Sequence, residues 1–229
     1  SPAGGTYSGI GVVDLGGGMY GFNPASGDQM ITYTYEDANG CENTATEMFT
    51  VYPLPTASIT ETDISGTTDN DGVICAGDEA TLTAAGGTMY VWDDAGNTAT
   101  AMLTVTPAMT TTYTVTVTSA DGCTATDAYT IIVNNLPTAS IAVAETSGTA
   151  DNDGTICAGD DAILTATGGG TYLWDDASNS TSASITVAPM ATTTYNVTVT
   201  SAEGCVDITS VTIDVDALPV IVDAPVACG

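Results

Sequence analysis

Cationic side chains are missing from this sequence. Its 229 residues include no lysine, arginine or histidine but 28 aspartates and glutamates, so the formal net charge is −28. Such a surface has no patch that could neutralise the phosphates of nucleic acid or the head groups of anionic lipid. No imidazole is available as a general base or a metal ligand. These absences exclude nucleic-acid binding, and we do not expect an enzyme.

Long apolar runs and zinc-type cysteine spacing are missing as well. No apolar run approaches the 18 residues of a membrane-spanning helix, so no membrane insertion is expected. The chain is nevertheless 43% hydrophobic, which is enough apolar material for a folded core. Its six cysteines occur without histidine or a Cys-x-x-Cys pair, which favours disulfides over zinc. Disulfides indicate an extracellular, secreted or cell-surface location.

An internal repeat with a step of 82 residues organises the chain. Two cysteines and a tryptophan recur at this step, as the pairs Cys75 and Cys157, Trp92 and Trp174, and Cys123 and Cys205. Leu-Pro dipeptides mark the boundaries, because proline interrupts strand pairing. The predicted units are an incomplete repeat lacking its first strands at 1–52, complete repeats at 53–134 and 135–217, and, at 218–229, the first strand of a following repeat or a donor strand.

The local pattern within each repeat is that of β-strands. Threonine alternates with apolar residues over 112–118 and again over 193–199, which is typical of half-buried strands. Turn signals such as Asp121-Gly122 separate such runs, and helical periodicity is absent. The predicted fold is all-β, a head-to-tail array of immunoglobulin-like sandwiches with Trp92 and Trp174 in their cores. In the second repeat the predicted strands are 56–61, 73–75, 79–85, 88–93, 100–106, 111–118 and 123–133.

Three short motifs mark the second repeat, namely Ile74-Cys75-Ala76-Gly77-Asp78, Tyr90-Val91-Trp92 and Gly122-Cys123. They resemble the tandem immunoglobulin-like or PKD-like repeats of large secreted surface proteins of Bacteroidetes. The first segment, from Gly4-Gly5-Thr6-Tyr7 to Asn39-Gly40-Cys41, resembles a second repeat type of the same adhesins, including those of gliding bacteria. The resemblance implies extracellular arrays exported by type IX secretion, and it specifies the repeat family rather than a biochemical activity.

Two disulfide schemes are open. In an immunoglobulin-like sandwich, the turn after strand 73–75 and the turn before strand 123–133 lie at opposite ends. A strand of about eight residues separates these ends by ~25 Å, whereas a disulfide needs Cα atoms within about 7 Å. The favoured scheme therefore pairs Cys75 with Cys205 of the following repeat. The alternative places one disulfide inside each repeat, between Cys75 and Cys123 and between Cys157 and Cys205.

Neither scheme gives Cys41 or Cys228 a partner within the chain, which points to contacts between units. In the favoured scheme, Cys157 meets Cys41 of the next unit, and Cys228 meets Cys123 of the next unit. A half sandwich at 1–52 would expose its core and an open strand edge. We expect 218–229 to complete it head to tail, by covalent continuation or by strand donation between copies. Repetition of such a contact builds a filament.

An Asp-Asn-Asp-Gly motif in each complete repeat is the best candidate metal site. Alternating oxygen ligands followed by a glycine turn suit Ca²⁺, although the motif is shorter than an EF-hand loop and equally describes an Asx-rich turn. Bound Ca²⁺ would stiffen the junction between repeats. The candidate ligands in the two motifs are Asp69, Asn70, Asp71, Asp151, Asn152 and Asp153. Further candidates near them are Asp63, Asp78, Glu145, Asp160 and, from a turn of the following repeat, Glu203.

Two functions are compatible with these features. The favoured one is a structural subunit or segment of an extracellular filament or stalk, stabilised by Ca²⁺ and disulfides, that serves surface adhesion or biofilm formation. Its main partner would be the protein itself, in a head-to-tail polymer. The alternative is an adhesin module that binds a surface carbohydrate or a receptor through its loops.

Overall fold

The computed structural model describes residues 4–148 and 150–220. Over these ranges the regular structure is nineteen β-strands and one short 3-10 helix at Pro24–Ser26, so the all-β prediction is confirmed. No helix in the described part of the chain is long and apolar enough to span a membrane. The strands fall into three consecutive groups, β1–β5, β6–β12 and β13–β19.

The first group is an open arrangement of two small sheets. An antiparallel sheet has the order β1-β4-β5, and β2 and β3 form a separate hairpin. None of the described residues between 4 and 52 is fully buried, and every residue of β5 is exposed. The apolar contacts are instead made by aromatic rings, with Tyr7 lying 5.3 Å from Tyr20 and 4.8 Å from Tyr33. The strands are β1 (Thr6–Ser8), β2 (Val12–Gly16), β3 (Met19–Phe22), β4 (Gln29–Glu36) and β5 (Glu42–Phe49).

The second group is a β-sandwich, called here the first sandwich. One sheet has the order β10-β8-β6 and the other β7-β12-β11-β9. All pairs are antiparallel except β7 with β12, which run parallel. All seven predicted strands are present, with small shifts at their ends. They are β6 (Ser58–Asp63), β7 (Val73–Cys75), β8 (Ala80–Ala85), β9 (Met89–Trp92), β10 (Met102–Val105), β11 (Thr111–Thr118) and β12 (Thr124–Asn134).

The third group, called here the second sandwich, repeats this topology. Its sheets have the orders β13-β15-β17 and β14-β19-β18-β16, again with one parallel pair, β14 with β19. The strands are β13 (Ser140–Ala144), β14 (Thr155–Cys157), β15 (Ala162–Thr167), β16 (Thr171–Trp174), β17 (Ser184–Val187), β18 (Thr193–Thr200) and β19 (Val206–Asp216).

Each sandwich has its own core around the predicted tryptophan. Trp92 and Trp174 are both 0% exposed. The indole Nε1 of Trp92 donates to the carbonyl oxygen of Thr100 at 3.0 Å, and that of Trp174 donates to Ser182 at 2.9 Å. A buried indole needs such a partner, because an unpaired polar atom in the core is costly.

Threonine pairs replace charged pairs on the solvent faces of the sheets. The hydroxyls of Thr112 and Thr130 lie 2.8 Å apart across β11 and β12, and Thr194 and Thr212 repeat this pair in the second sandwich. Cross-strand hydroxyl pairs of this kind stabilise a sheet modestly. A chain without cations has no ion pairs for this purpose, so the alternating threonines supply its polar face.

Candidate functional site

The candidate site is the seam where the first sandwich meets the second. A disulfide joins Cys75, at the end of β7, to Cys205, just before β19, with a Cα–Cα distance of 5.5 Å. The inter-repeat pairing of these two cysteines is therefore confirmed, and the alternative that paired each within its own repeat is wrong. Among the described residues, Cys41, Cys123 and Cys157 carry free thiols. Cys228 lies outside the described residues.

Close backbone packing accompanies the disulfide at the seam. Gly204, in the turn before Cys205, has φ +82°, and a Cβ built on it would lie 2.7 Å from the backbone carbonyl carbon of Gly66. A Cβ on Gly66 would in turn lie 3.3 Å from the carbonyl oxygen of Glu203. The turn of the second sandwich thus rests directly on the 64–72 loop of the first. A side chain at Gly204 would push the two apart.

We expect Gly204→Ala to loosen the seam. Alanine would be strained by the positive φ and would also collide with Gly66, and overpacking of this kind costs about 1–3 kcal/mol. The matched control is Gly122→Ala in the first sandwich, because Gly122 has φ +85° but no neighbouring atom within 4 Å of the position that a Cβ would take. Urea unfolding compares the two variants. Equal losses in both would show that the contact with Gly66 contributes nothing.

A hydrogen-bonded turn presents Cys205 to the seam. The backbone N–H of Cys205 donates to the Ser201 hydroxyl at 3.3 Å, and the Ser201 N–H donates to the Cys205 carbonyl at 2.8 Å. The same two bonds, at 3.2 and 2.8 Å, join Ser119 and Cys123 in the first sandwich. The presentation of a cysteine by this turn is therefore a repeated feature of the fold.

Buried and exposed carboxylates shape the loop that carries Cys75. Asp63 is 5% exposed and accepts from the backbone N–H groups of Ser65 at 2.9 Å and Gly72 at 3.3 Å. The Ser65 hydroxyl donates to Asp78 at 2.6 Å and accepts from the Cys75 N–H at 2.8 Å. These bonds close the loop and hold Cys75 in position.

The second sandwich builds the same loop with glutamate in place of Asp63. Glu145, 4% exposed, accepts from Ser147 N–H at 2.9 Å and from Asp153 N–H at 2.8 Å. The Ser147 hydroxyl donates to Asp160 at 2.6 Å and accepts from the Cys157 N–H at 2.9 Å. In a chain without cations, backbone N–H groups are the partners of these carboxylates.

The two Asp-Asn-Asp-Gly motifs lie in these loops as exposed turns. Asn70 and Asn152 have φ +59° and +63°, left-handed values that asparagine tolerates. Asp71 and Asp153 each accept from the backbone N–H two residues ahead, as in an Asx turn. Over the described residues, no group of three or more Asp, Glu or Cys side chains is placed to hold a metal ion. Asp69, Asp151 and Glu203 are exposed beside the turns, and Ca²⁺ binding there stays a prediction.

Sequence reasoning missed one residue near the seam, Glu61. Both of its carboxylate oxygens are buried, and neither meets a hydrogen-bond partner of good geometry among the described residues. Burial, together with the neighbouring Asp63 carboxylate, raises the pKa of Glu61 to about 7. The signal was the repeat itself, since the position 82 residues later is Val143, which packs against the core of the second sandwich. A carboxyl group thus occupies a position that is apolar in the sister sandwich.

An aromatic cleft in the first group of strands was also missed. It has a volume of about 980 Å³ and lies between the β1-β4-β5 sheet and the β2-β3 hairpin. Tyr7, Tyr20, Phe22 and Tyr33 are among its lining residues. The cleft depends on how the sheet and the hairpin pack together, which the patterns of single strands do not indicate.

Similarity to known proteins is found among solved structures alone. No family model matches the chain, and no curated protein matches it significantly. Among solved structures, it is similar to a Ca²⁺-stabilised adhesin with which an Antarctic bacterium binds ice, at 19% identity and a TM-score of 0.34. That match covers 84% of this chain and 57% of the adhesin structure, so the chain spans less than two thirds of it.

Two further solved structures show comparable similarity. One is a 1.5-MDa bacterial ice-binding adhesin, with 16% identity, a TM-score of 0.33, and coverage of 83% of this chain and 75% of that one. The other is murine CEACAM1b, with 13% identity and a TM-score of 0.31. That match covers 70% of this chain and 100% of the CEACAM1b chain. Scores this low carry no argument about function, which therefore rests on the site geometry.

Proposed function

We propose that this chain is a segment of an extracellular stalk or filament for surface adhesion, in which consecutive sandwiches are joined end to end at disulfide-locked seams. The observation that carries the proposal is the Cys75–Cys205 disulfide together with the packing of Gly204 on Gly66. A covalent bond and a backbone contact at one junction restrict bending between neighbours. A stalk requires stiff junctions, whereas a set of freely jointed binding modules does not need them.

The charge of the chain supports the same role. With 28 acidic residues and no cations, neighbouring sandwiches repel each other along the whole chain. Repulsion favours an extended shape but works against any close junction. A covalent bond at the seam holds the junction together despite this repulsion, which is a physical reason for placing the disulfide between sandwiches rather than inside them.

Small-angle X-ray scattering of the full chain tests the proposal. The wild type should scatter as a stiff elongated particle, whereas Cys75→Ser/Cys205→Ser should show the broader distance distribution of a flexible junction. Cys123→Ser is the matched control, because Cys123 is a free thiol in a turn with the same hydrogen bonds as the turn of Cys205. Equal flexibility in all three proteins would contradict the stalk.

We further propose that Ca²⁺ binds the acidic loops beside the seam and offsets their repulsion. Support comes from the acidic side chains concentrated there, with Asp69, Asp71 and Glu203 exposed on the two sides of the junction. A ligand that binds the folded state alone stabilises by about 2.7 kcal/mol at a hundredfold excess over its Kd. Calcium should therefore raise the thermal midpoint and a chelator should lower it, with a smaller response in Asp69→Asn/Asp71→Asn. An unchanged midpoint would exclude the ion.

One observation favours the second candidate function, carbohydrate binding. The cleft lined by Tyr7, Tyr20 and Tyr33 exposes aromatic rings, and sugars commonly bind against such apolar faces. On this alternative, the first group of strands would be the binding element and the two sandwiches its support. Titration of the full chain with soluble oligosaccharides distinguishes the alternative from a purely structural role.

A further inference from the structure

The loop that carries Cys157 is built like the loop that carries Cys75. Both cysteines end a short strand that pairs in parallel with the last strand of its sandwich. In both, the cysteine N–H donates to a serine hydroxyl, Ser65 at 2.8 Å and Ser147 at 2.9 Å. In both, that hydroxyl also donates to an aspartate at 2.6 Å. Yet Cys75 is bonded to Cys205, while Cys157 is a half-buried free thiol.

The chain also contains two further turns like the one that carries Cys205, and their cysteines are free thiols. One spans Ser119–Cys123 and the other Asp37–Cys41, and in each the first residue donates its N–H to the cysteine carbonyl, at 2.8 and 2.9 Å. In the second, Asp37 replaces serine and accepts from the Cys41 N–H at 2.9 Å. Hydrogen bonds from the Cys41 and Asn39 backbone hold the pKa of Asp37 below its ordinary value. This turn is therefore formed and anionic.

The two turns differ in how exposed their cysteines are. Cys41 is exposed, and within the described part of the chain the only atom within 4 Å of a Cβ built on Gly40 belongs to the flexible end of the Glu36 side chain, at 3.6 Å. Cys123 is partly covered, with its Sγ 3.8 Å from the Tyr52 carbonyl oxygen. The Asp37–Cys41 turn is thus the one that can approach another surface without rearrangement.

We propose that Cys157 of one copy of this chain forms a disulfide with Cys41 of a second copy, through docking of the Asp37–Cys41 turn on the loop that holds Ser147 and Cys157. The contact reproduces the internal seam, where the turn before Cys205 rests on the loop before Cys75. Gly148 and Gly40, with φ +83° and +79°, take the places of Gly66 and Gly204 in the backbone contact. This inference rests on the proposed function, because it identifies the contact by which copies join end to end.

The bond forms by thiol–disulfide exchange with a small-molecule disulfide such as oxidised glutathione. The Cys157 thiolate attacks this disulfide, forming a mixed disulfide and releasing one glutathione thiolate. The Cys41 thiolate of the second copy then attacks the Cys157 sulfur and releases the second glutathione. The two cysteines lose two electrons and two protons in total, and one glutathione disulfide is reduced to two thiols.

Complementary single variants of the full chain test the pairing, both made in a Cys228→Ser background so that the expected Cys228–Cys123 bond cannot also link copies. Of the proposed pair, Cys41→Ser keeps the loop thiol Cys157, and Cys157→Ser keeps the turn thiol Cys41. The chains are incubated in glutathione redox buffer at high salt, because copies with a charge of −28 repel each other strongly at low ionic strength. Products are separated on non-reducing gels, with one chain isotopically labelled so that heterodimers are recognised by mass.

The wild type should form a ladder of disulfide-linked multimers, and each single variant should lose the ladder. A mixture of the Cys41→Ser and Cys157→Ser chains should form a heterodimer and no larger product. Peptide masses should show that its disulfide joins Cys157 to Cys41. Cys123→Ser should keep the wild-type ladder. Loss of the ladder in Cys123→Ser, homodimers of Cys41→Ser alone, or absence of any linked product would each overturn the proposal. Such failures leave the stalk proposal standing, since that depends on scattering from the Cys75–Cys205 variants.

Discussion

Replacing Trp92 with alanine is expected to unfold the first sandwich, with a loss of about 3–5 kcal/mol in free energy of unfolding. The side chain is 0% exposed and packs with Leu82 and Val115 between the two sheets. Removing it leaves a large cavity and deprives the Thr100 carbonyl of its indole donor. Small domains have total stabilities of about 5–15 kcal/mol, so a loss of this size removes a large share of the stability of one sandwich.

The placement of the tryptophans allows the two sandwiches to be followed separately. Each contains one tryptophan, so in Trp92→Ala the fluorescence of Trp174 reports the second sandwich alone. We expect Trp174 to unfold at a midpoint close to the wild-type value, because each sandwich has its own core. Trp174→Ala is the matched control and should give the mirror-image result. Simultaneous unfolding of both sandwiches in either variant would show that they share one cooperative unit.

Replacing Glu61 with valine is expected to stabilise the first sandwich above pH 7. The pKa of Glu61 is raised to about 7 in the folded state, chiefly by burial and then by Asp63, against about 4.3 for an unperturbed glutamate. Folding therefore takes up a proton between these values, so the stability of the wild type falls as pH rises from about 4.3 to 7 and stays low above that. Valine removes this loss and matches Val143 of the sister sandwich.

We expect Glu61→Val to gain about 1–2 kcal/mol at pH 8, a value reduced from the full shift because solvent screens a half-buried carboxyl. Urea unfolding monitored by Trp92 in a Trp174→Phe background, at pH 5, 6, 7 and 8 with chelator present, measures it. Glu61→Gln is the control that removes the titration but keeps the shape, so its stability should not change over this range. If Glu61→Gln keeps the pH dependence of the wild-type stability, Glu61 is not the source of that dependence.

Strand positions and core residues were predictable because the repeat shows each of them twice. Alternating threonines located β11 and β18, and Trp92 and Trp174 were correctly placed in the cores. The disulfide followed from topology, since two turns at opposite ends of one sandwich can meet only between neighbours. These inferences used strand period and strand length, which the local sequence determines.

The chemistry of the loops was harder to predict, because a carboxylate that binds a cation and one that closes a turn have the same sequence pattern. Asp63 and Glu145 are bonded to backbone N–H groups, and that depends on loop conformation rather than on spacing. Glu61 lies on β6 on the same side as Ile59 and Asp63, and no sequence motif gave it a role. Its burial results from packing against the other sheet, which no single strand encodes.

Disulfide mapping of the unreduced protein tests the central claim, a covalent seam between neighbouring sandwiches, most directly. Trypsin cannot cut a chain without lysine or arginine, so digestion requires a protease that cleaves at acidic or aromatic residues. We predict a linked pair of peptides containing Cys75 and Cys205, with the Cys123 peptide not linked to either. A peptide pair linking Cys75 to Cys123 would place the disulfide inside one sandwich and contradict the seam.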